Sequence, residues 1–562
     1  MAAASLCNGE RAVVLLYLSG VVLSAPISLL LEAGGLCILA FGALLVEIAS
    51  ESSNALSCLK TRQGASTGIL LGTVTLPTVM FSRLMQMLRA LSIQDVSPEE
   101  IGYIKIQYWA VSVSCICMLI FLCGIRMESS DKKNLFKMWL LQDTKCTFLS
   151  VSYAALCFIS LVAKSYSDVH VAMKLSWIFF QGVASVKLIQ HILYTFPFCA
   201  SIGEAFLATS GLVLFFGDMT AFTLSKLSFF KLGIGKSEIS IIVQGLLLGL
   251  LLLPFFFKVL ILVGNRVMRQ IKSIDIESKG STSGVIGRSI VFYASLGIVL
   301  ILLVPAWMLV VHDFGMHPII WMLYFVFTGP QGRMLLCIYW MVIMCLSVVY
   351  FYNVSKSNKV ERILLRKYYH LVAVLMFVPA LLFQPSFLDL SFGVALAGFL
   401  ALEIIRVWQI WPLGHIVDRF MNAFTDHRDS DILIVSHFSL LLGCAIPKWM
   451  SSGFNDRPLA PFAGILSLGI GDTMASVVGH KYGVLRWSKT GKKTVEGTAA
   501  GIMSVFIACS VLIPFLASTG YILSQHWVSL LMAIGVSGLL EANTVQLDNA
   551  FIPLVFYSLL CL

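Results

Sequence analysis

One carboxylate stands out in this sequence because it lies inside an apolar run. Asp472 occurs in the segment PFAGILSLGIGDTMASVVG, which begins at Pro461 and is rich in glycine and apolar residues. A charged group in such a run is energetically expensive, so it is a functional-site hypothesis by default. We predict that Asp472 acts as a magnesium ligand or as a general base. The alternative is that it caps the N-terminus of a helix.

A basic loop that contains several glycines follows Asp472 and ends in the segment KKTVEG. Lysines neutralise phosphate oxygens as point charges, and backbone N–H groups at glycines and helix N-termini can add to the binding. The loop therefore predicts a nucleotide triphosphate site. Its predicted binding residues are Gly479, Lys481, Arg486, Lys489, Lys492, Lys493, Thr494, Glu496 and Gly497. Lys493 also has a predicted catalytic role. The alternative is a basic membrane anchor with a Thr-x-Glu helix cap.

Two more acids lie near the C-terminus, in the segment LEANTVQLDN. Glu541 and Asp548 are seven positions apart, a spacing that would place them on one face if the segment were helical. Mg²⁺ binds one or two carboxylates together with substrate phosphates. We therefore predict that Asp472, Glu541 and Asp548 bind Mg²⁺ or another divalent cation. The alternative is a pair of loop acids between two membrane spans.

The segment RKYYH places Arg366, Lys367 and His370 at the start of an apolar run, with Arg366 and His370 four positions apart on one helical face. These residues are predicted to compensate the charge of a nucleotide or to contribute a polar group to the site, and His370 is predicted to be catalytic. The alternative is that these residues anchor the helix at the membrane surface, with their charged ends turned toward water.

Composition sets the class of protein. Of the 562 residues, 58% are hydrophobic and 12% are charged, whereas soluble domains carry about 25% charged residues. Apolar runs recur along the chain, and we predict an all-α polytopic membrane protein with about 15 transmembrane helices. In the first part of the chain the clearest runs lie near 11–31, 33–48, 107–125, 145–163, 171–195, 203–222, 237–264, 288–312 and 335–352. Residues 1–350 are predicted to form an N-terminal multi-span region. Residues 356–562 are predicted to form a catalytic bundle of six or seven helices.

The distribution of charge predicts which side of the membrane carries the site. The net charge of +10 comes from Lys and Arg in short loops between spans, so no nucleic-acid partner is expected. From His370 the predicted chain crosses the membrane twice before it reaches the loop 409–431. It crosses twice more before the basic loop and twice more before Glu541. All of these polar segments therefore share one side. The loops of the other side contribute only Lys448 and Arg457, so the positive-inside rule predicts a cytosolic site.

Segments across residues 356–562 resemble the dolichol kinase family, in the order LRKYYH, PLGHIVDRF, HRDSD, GIGDTMASVVG, RWSKTGKKTVEGT and LEANTVQLDNAFIP. The resemblance implies an enzyme of the endoplasmic reticulum membrane that transfers the γ-phosphate of CTP to dolichol, giving dolichyl phosphate for protein glycosylation. It implies dolichol, CTP and membrane lipids as partners, with the CTP loop on the cytosolic face at Gly479 to Gly497.

KKTVEG also resembles the phosphatidate cytidylyltransferases, which use CTP. The loop departs from the kinase pattern in one respect. Between Trp487 and Lys492 it reads SKTG, one residue longer, which leaves the role of Lys489 open. The alternative functions are another CTP-using lipid enzyme, such as a phytol or prenol kinase or a cytidylyltransferase, and a transporter. Transporters often show inverted repeats and polar groups at the membrane midplane, whereas the polar groups here gather at one surface.

Overall fold

The computed structural model describes residues 8–52, 59–62, 66–93, 96–130, 144–163, 171–227, 235–271, 281–329, 331–356, 362–422, 433–452, 455–487, 493–518 and 527–562. These residues fold into helices. The first are α1 Gly9–Leu23, α2 Leu30–Ser52, α3 Ile69–Ser92, α4 Pro98–Ser130, α5 Thr144–Ala163, α6 Val171–Thr195, α7 Ile202–Lys226, α8 Glu238–Ile271, α9 Ser281–Ile298 and α10 Val304–Val311. They are followed by α11 Pro318–Phe327, α12 Gln331–Lys356, α13 Arg362–Phe383, α14 Pro385–Val407, α15 Gly414–Asn422, α16 Val435–Met450, α17 Thr473–Tyr482, α18 Val495–Ser518, α19 Trp527–Asn543 and α20 Asp548–Leu560.

The lengths and compositions of these helices are those of a multi-pass membrane protein. Within the described residues, ten helices are long and apolar enough to cross a membrane, and six shorter apolar segments have 10–17 residues. This confirms the predicted all-α polytopic class. The figure of about 15 transmembrane helices remains a prediction.

Helix α3 was not among the clear apolar runs of the sequence, although it is the most deeply buried of the ten long helices. Thr73, Thr75, Thr78 and Ser82 interrupt its apolar pattern, and all four are fully buried. The hydroxyls of Thr75 and Thr78 donate to the carbonyls four residues earlier, at 2.6 Å each. Because α3 is surrounded by other helices rather than by lipid, small polar side chains are tolerated along it.

The first compact unit of the fold combines both ends of the chain. It comprises Met1–Ile234, Val354–Leu375 and Gly443–Leu562. Helix α3 packs against α7 and α20, and α1 packs against α19. The Tyr17 hydroxyl bonds to the Ser558 hydroxyl at 2.6 Å. Helices from the N-terminal region are therefore part of the same packed core as the C-terminal helices.

The second compact unit comprises Gly235–Asn353 and Met376–Leu442. Helix α8 packs against α9 and α14 within it. The Glu403 carboxylate pairs with Arg406 at 2.7 Å and accepts the Ile434 N–H at 3.0 Å, so it supports both ends of the intervening segment. That segment contains the short helix α15 where the sequence indicated only a polar loop, because nine residues of mixed polarity give no long apolar run.

Residues 356–562 contribute to both compact units. These units describe packing, not activity. The functional division into residues 1–350 and 356–562 therefore remains a prediction.

Candidate active site

Asp472 lies at the end of a π-helical segment, Ile465–Asp472, that continues directly into α17. π-helical turns occur frequently at functional sites. Glycines let neighbouring helices come close here: a Cβ on Gly464 would lie 2.0 Å from the Gly443 carbonyl oxygen, and one on Gly469 would lie 2.2 Å from Val374. Asp472 has helical backbone angles, φ −63° and ψ −36°, and makes no side-chain cap bond. The helix-cap alternative is therefore wrong.

The Asp472 carboxylate, which is 3% exposed, is paired with two side chains of α13. Lys367 Nζ lies 2.5 Å from its Oδ2, and His370 Nδ1 lies 3.3 Å from the same oxygen. His370 Nδ1 also lies 3.1 Å from the Leu468 carbonyl oxygen. The Thr473 hydroxyl donates to the Lys367 carbonyl at 3.3 Å, which ties α13 to the start of α17.

Lys367 was predicted to be a cation or polar partner at the site, but its pairing with Asp472 was not predicted. Lys367 precedes His370 by three positions and so shares its helical face. The side chain of Arg366, which the sequence placed on the same face as His370, lies outside the described residues. His370 itself reaches the site as predicted.

A second ion pair of the site joins Lys493 and Glu541. Lys493 Nζ lies 3.1 Å from Glu541 Oε1 and also donates to the Glu541 backbone carbonyl. Electrostatic interactions link the Glu541 carboxylate with those of Asp472 and Asp548, and link Lys367 with all three acids. Three carboxylates and two lysines from distant parts of the chain thus form one cluster, and the predicted metal-binding and catalytic roles of these residues remain predictions.

Glu541 and Asp548 do not share the face of a single helix. Helix α19 ends at Asn543 and α20 begins at Asp548. The acids therefore lie at facing ends of two helices, on either side of a short turn. Helical periodicity was the wrong reason for grouping them, although they do lie in one cluster.

The basic loop is held at its base by backbone pairing. Arg486 and Thr494 form an antiparallel bridge, and the Val495 N–H donates to the Leu485 carbonyl at 2.8 Å. The Glu496 carboxylate accepts the Leu485 N–H at 3.0 Å. Glu496, predicted to contact a nucleotide, therefore shapes the loop in this structure. Lys489 and Lys492, like the HRDSD segment, lie outside the described residues.

At the N-terminus of α18, two of the N–H groups expected to face phosphates are bonded within the loop. The Val495 N–H is bonded within the loop, as described above. The Gly497 N–H donates to the Thr494 hydroxyl at 3.2 Å, as in an N-cap. Phosphate binding at this loop would therefore depend mainly on side-chain cations.

Gly479 and Gly497 lie in helices and bring α17 and α18 together. A Cβ on Gly479 would lie 2.9 Å from the Thr494 hydroxyl, and one on Gly497 would lie 2.6 Å from the Ala475 carbonyl oxygen. These glycines have a packing role in the structure, and direct contact with a nucleotide remains a prediction. Lys481 and Arg486 are exposed beside the loop, where a soluble ligand has access to them.

Replacing Gly497 by alanine is expected to destabilise the protein by about 1–3 kcal/mol, because the added methyl group forces α17 and α18 apart. Thermal unfolding of the purified protein measures this. Gly535→Ala is the matched control, since a Cβ there meets nothing within 4 Å. That change should be neutral or stabilising by up to about 1 kcal/mol. Equal melting temperatures for the two variants would contradict the packing role.

A cavity of about 30 Å³ adjoins the cluster. Asp472 and Glu541 line it together with apolar side chains of the surrounding helices, among them Val505, Ile534 and Phe556. The cavity has room for at least one water-sized group, and it is partly open to the outside. Two acids of the site therefore border a small space that is accessible from outside the protein.

The acid cluster fits a magnesium ion that is bound mainly by its substrate. Within the described residues, no group of three or more His, Cys, Asp or Glu side chains is arranged to hold a metal alone. Mg²⁺ does not need such a cage, because it usually keeps several waters and takes one or two carboxylates plus phosphate oxygens. The oxygen donors of Asp472, Glu541 and Asp548 are of this kind, and their role as ligands remains a prediction.

The apolar helices and the acid–lysine cluster together define a multi-pass membrane protein whose site suits phosphate chemistry. Comparison with known proteins agrees with this class. The family model described as Dolichol kinase matches residues 145–512. The dolichol kinase EVAN of Arabidopsis thaliana is 56% identical over 573 aligned residues, which cover 100% of this chain and 99% of that protein. The chain therefore belongs to the dolichol kinase family.

Relatives with lower sequence identity are also dolichol kinases. The human dolichol kinase is 30% identical over 434 residues, covering 74% of each chain. The Saccharomyces cerevisiae dolichol kinase is 32% identical over 242 residues, covering 42% of this chain and 44% of that protein. No solved structure matches.

Proposed function

We propose that this protein is a CTP-dependent dolichol kinase of the endoplasmic reticulum membrane, with its active site facing the cytosol. It transfers the γ-phosphate of CTP to the hydroxyl of dolichol and yields dolichyl phosphate and CDP. The observation that carries the proposal is the cluster of Asp472, Lys367, Lys493, Glu541 and Asp548, in a chain similar over its whole length to a dolichol kinase.

The basic loop supports a nucleotide donor, and its resemblance to CTP-using enzymes supports CTP. Lys493 lies at the base of the loop, paired with Glu541. We assign Lys493 to the phosphates of CTP, together with Lys492 of the same loop. The positive-inside rule supports the cytosolic placement, because the loops on this side carry most of the Lys and Arg residues.

The cavity beside Asp472 supports a lipid acceptor. A long-chain alcohol must remain among apolar groups while its hydroxyl reaches the phosphate. The cavity is lined by apolar side chains, by three hydroxyl-bearing residues and by two carboxylates, and it has room for a hydroxyl group. In this proposal the hydroxyl lies against Asp472 and the hydrocarbon chain stays in the membrane.

Phosphoryl transfer depends mainly on positioning and charge neutralisation. The lipid oxygen attacks the γ-phosphorus, and the bond from that phosphorus to the β,γ-bridging oxygen breaks, so that CDP leaves. The hydroxyl proton passes to a carboxylate that lines the cavity, and we assign this role to Asp472. Lys367 and His370 hold Asp472 in place. A bound Mg²⁺, with Glu541 and Asp548 as its protein ligands, would supply further charge neutralisation at the phosphates.

The proposed reaction is tested with purified protein, dolichol and CTP labelled in either the γ- or the α-phosphate. A kinase places the γ-label in the lipid and the α-label in CDP. A cytidylyltransferase needs a lipid phosphate, so the assay is repeated with phosphatidate, on which that enzyme would place the α-label and release pyrophosphate. Absence of label in both lipids would reject both enzymes and favour a transporter.

Replacing Lys493 by alanine is expected to raise the KM for CTP by about 10- to 100-fold, since a hydrogen bond to a charged group contributes about 1.5–3 kcal/mol. Steady-state kinetics at saturating dolichol measure this change. Lys226→Ala, at an exposed lysine that ends α7, is the control and should leave the KM unchanged. An unchanged KM in Lys493→Ala would assign the basic loop to membrane topology instead.

A further inference from the structure

The turn that joins Glu541 to Asp548 is held by side chains from the N-terminal region. Its central residue, Gln546, is 1% exposed. The Gln546 side-chain amide donates to both the backbone carbonyl and the hydroxyl of Ser66, at 2.9 Å each. Its carbonyl oxygen accepts from the Ser201 hydroxyl. One side chain of the turn thus contacts two segments that are more than 300 positions away in sequence.

The backbone of the same turn is bonded to a buried ion pair. Glu204 Oε1 accepts the Leu547 N–H at 2.8 Å and pairs with Arg62 at 2.5 Å. Arg62 also donates to the Val545 carbonyl at 3.3 Å. A buried turn must satisfy its backbone groups, because unpaired ones are costly. Here the N-terminal region supplies the partners.

The local fold at the start of α7 explains how Glu204 is positioned to bind the turn. Ser201 and Glu204 form a capping box at the start of α7, in which the Ser201 side chain accepts the Glu204 N–H and the Glu204 side chain accepts the Ser201 N–H. The cap fixes the position of Glu204 before it contacts the turn. Gly68 adds close packing, since a Cβ on it would lie 2.5 Å from the Gln546 side chain.

We propose that Arg62, Glu204 and Gln546 are positioning residues for the reaction. They hold the Thr544–Leu547 turn, and through it they set the distance between Glu541 and Asp548. This assigns a role to the N-terminal region, which supplies a structural part of the active site. The inference rests on the proposed function in one respect, namely that Glu541 and Asp548 act on the phosphates or their metal. Such acids must be held within about 0.5 Å of their working geometry.

The experiment combines hydrogen–deuterium exchange with kinetics on the full-length protein. In substrate-free Gln546→Ala and Glu204→Ala, the backbone amides of the turn should exchange at least about tenfold faster. The same variants should lose about 10- to 100-fold in kcat and should need more Mg²⁺ for half-maximal rate. Losses of this size are typical when residues that support metal ligands are removed. The KM for dolichol should stay unchanged. Glu204→Gln, which keeps an acceptor oxygen, should retain most of the activity.

The control is another buried ion pair of the same unit that does not touch the turn. Glu32 pairs with Lys105 at 2.9 Å and accepts from the Ser160 hydroxyl. Glu32→Gln should leave exchange at the turn, kcat and the Mg²⁺ requirement unchanged.

The proposal would be overturned by unchanged exchange in both alanine variants, by faster exchange without a kinetic change, or by the same kinetic loss in Glu32→Gln. A wild-type protein without kinase activity would reject the proposed function. The exchange result would still report whether these side chains hold the turn.

Discussion

Replacing Asp472 by asparagine is expected to lower kcat for dolichol phosphorylation by at least about 100-fold, within the range of 10²–10⁴ that a positioned acid or base contributes. Asparagine has nearly the same shape, so packing is kept while the charge is lost. The variant then has neither a proton acceptor nor a charged metal ligand at this position. Initial rates with purified protein, compared at saturating CTP and dolichol, measure the effect.

The residual activity of Asp472→Asn separates the two roles that the sequence left open. If Asp472 is a metal ligand, the variant should need a higher Mg²⁺ concentration for half-maximal rate. If it is the base, the Mg²⁺ requirement should not change and only kcat should fall. Asp456→Asn is the control, because Asp456 is also ion-paired, at 2.6 Å from Arg89, but lies outside the cluster. Full activity with a normal Mg²⁺ requirement would remove Asp472 from the mechanism.

Replacing Lys367 by methionine is expected to cost about 3–5 kcal/mol of stability, because it leaves the buried Asp472 charge without its closest partner. Methionine keeps much of the apolar stem, so lost packing is a small part of the change. Activity should fall as well, since three carboxylates then face one remaining lysine, Lys493. Chemical unfolding of the purified protein measures the stability, and the labelled-CTP assay measures the activity.

A double variant distinguishes the ion pair from a general packing effect. Adding Asp472→Asn to Lys367→Met removes the unpaired charge and should restore a substantial part of the stability, but not the activity. Lys105→Met is the control, since it breaks the buried pair with Glu32 and should gain nothing from Asp472→Asn. Additive stability changes for Lys367 and Asp472 would contradict a direct interaction.

The membrane class and many helix positions could be predicted from the sequence. The apolar run predicted at 171–195 is the helix Val171–Thr195, and the run at 203–222 falls within Ile202–Lys226. Helix α3 was not predicted from hydropathy. Hydropathy detects helices that face lipid, whereas a helix surrounded by protein can carry threonines and serines along its length.

Part of the site could also be predicted from local composition. Asp472 was noticeable because a charge in an apolar run is improbable, and Lys493 because it ends a dense basic loop. The packing role of the glycines was not predicted. Gly479 and Gly497 pack two helices together, and a sequence pattern does not distinguish glycines that approach a ligand from glycines that approach another backbone.

The amino-acid sequence alone determined that this is a multi-pass helical membrane protein with acids and lysines suited to phosphate chemistry, because hydropathy and charge are local properties. Only the tertiary structure decided that Lys367 pairs with Asp472 across 105 positions, that Glu541 and Asp548 face each other across a turn, and that Glu204 supports that turn. Those contacts depend on where helices cross, and helix crossing is set by the packing of the whole unit rather than by any single segment.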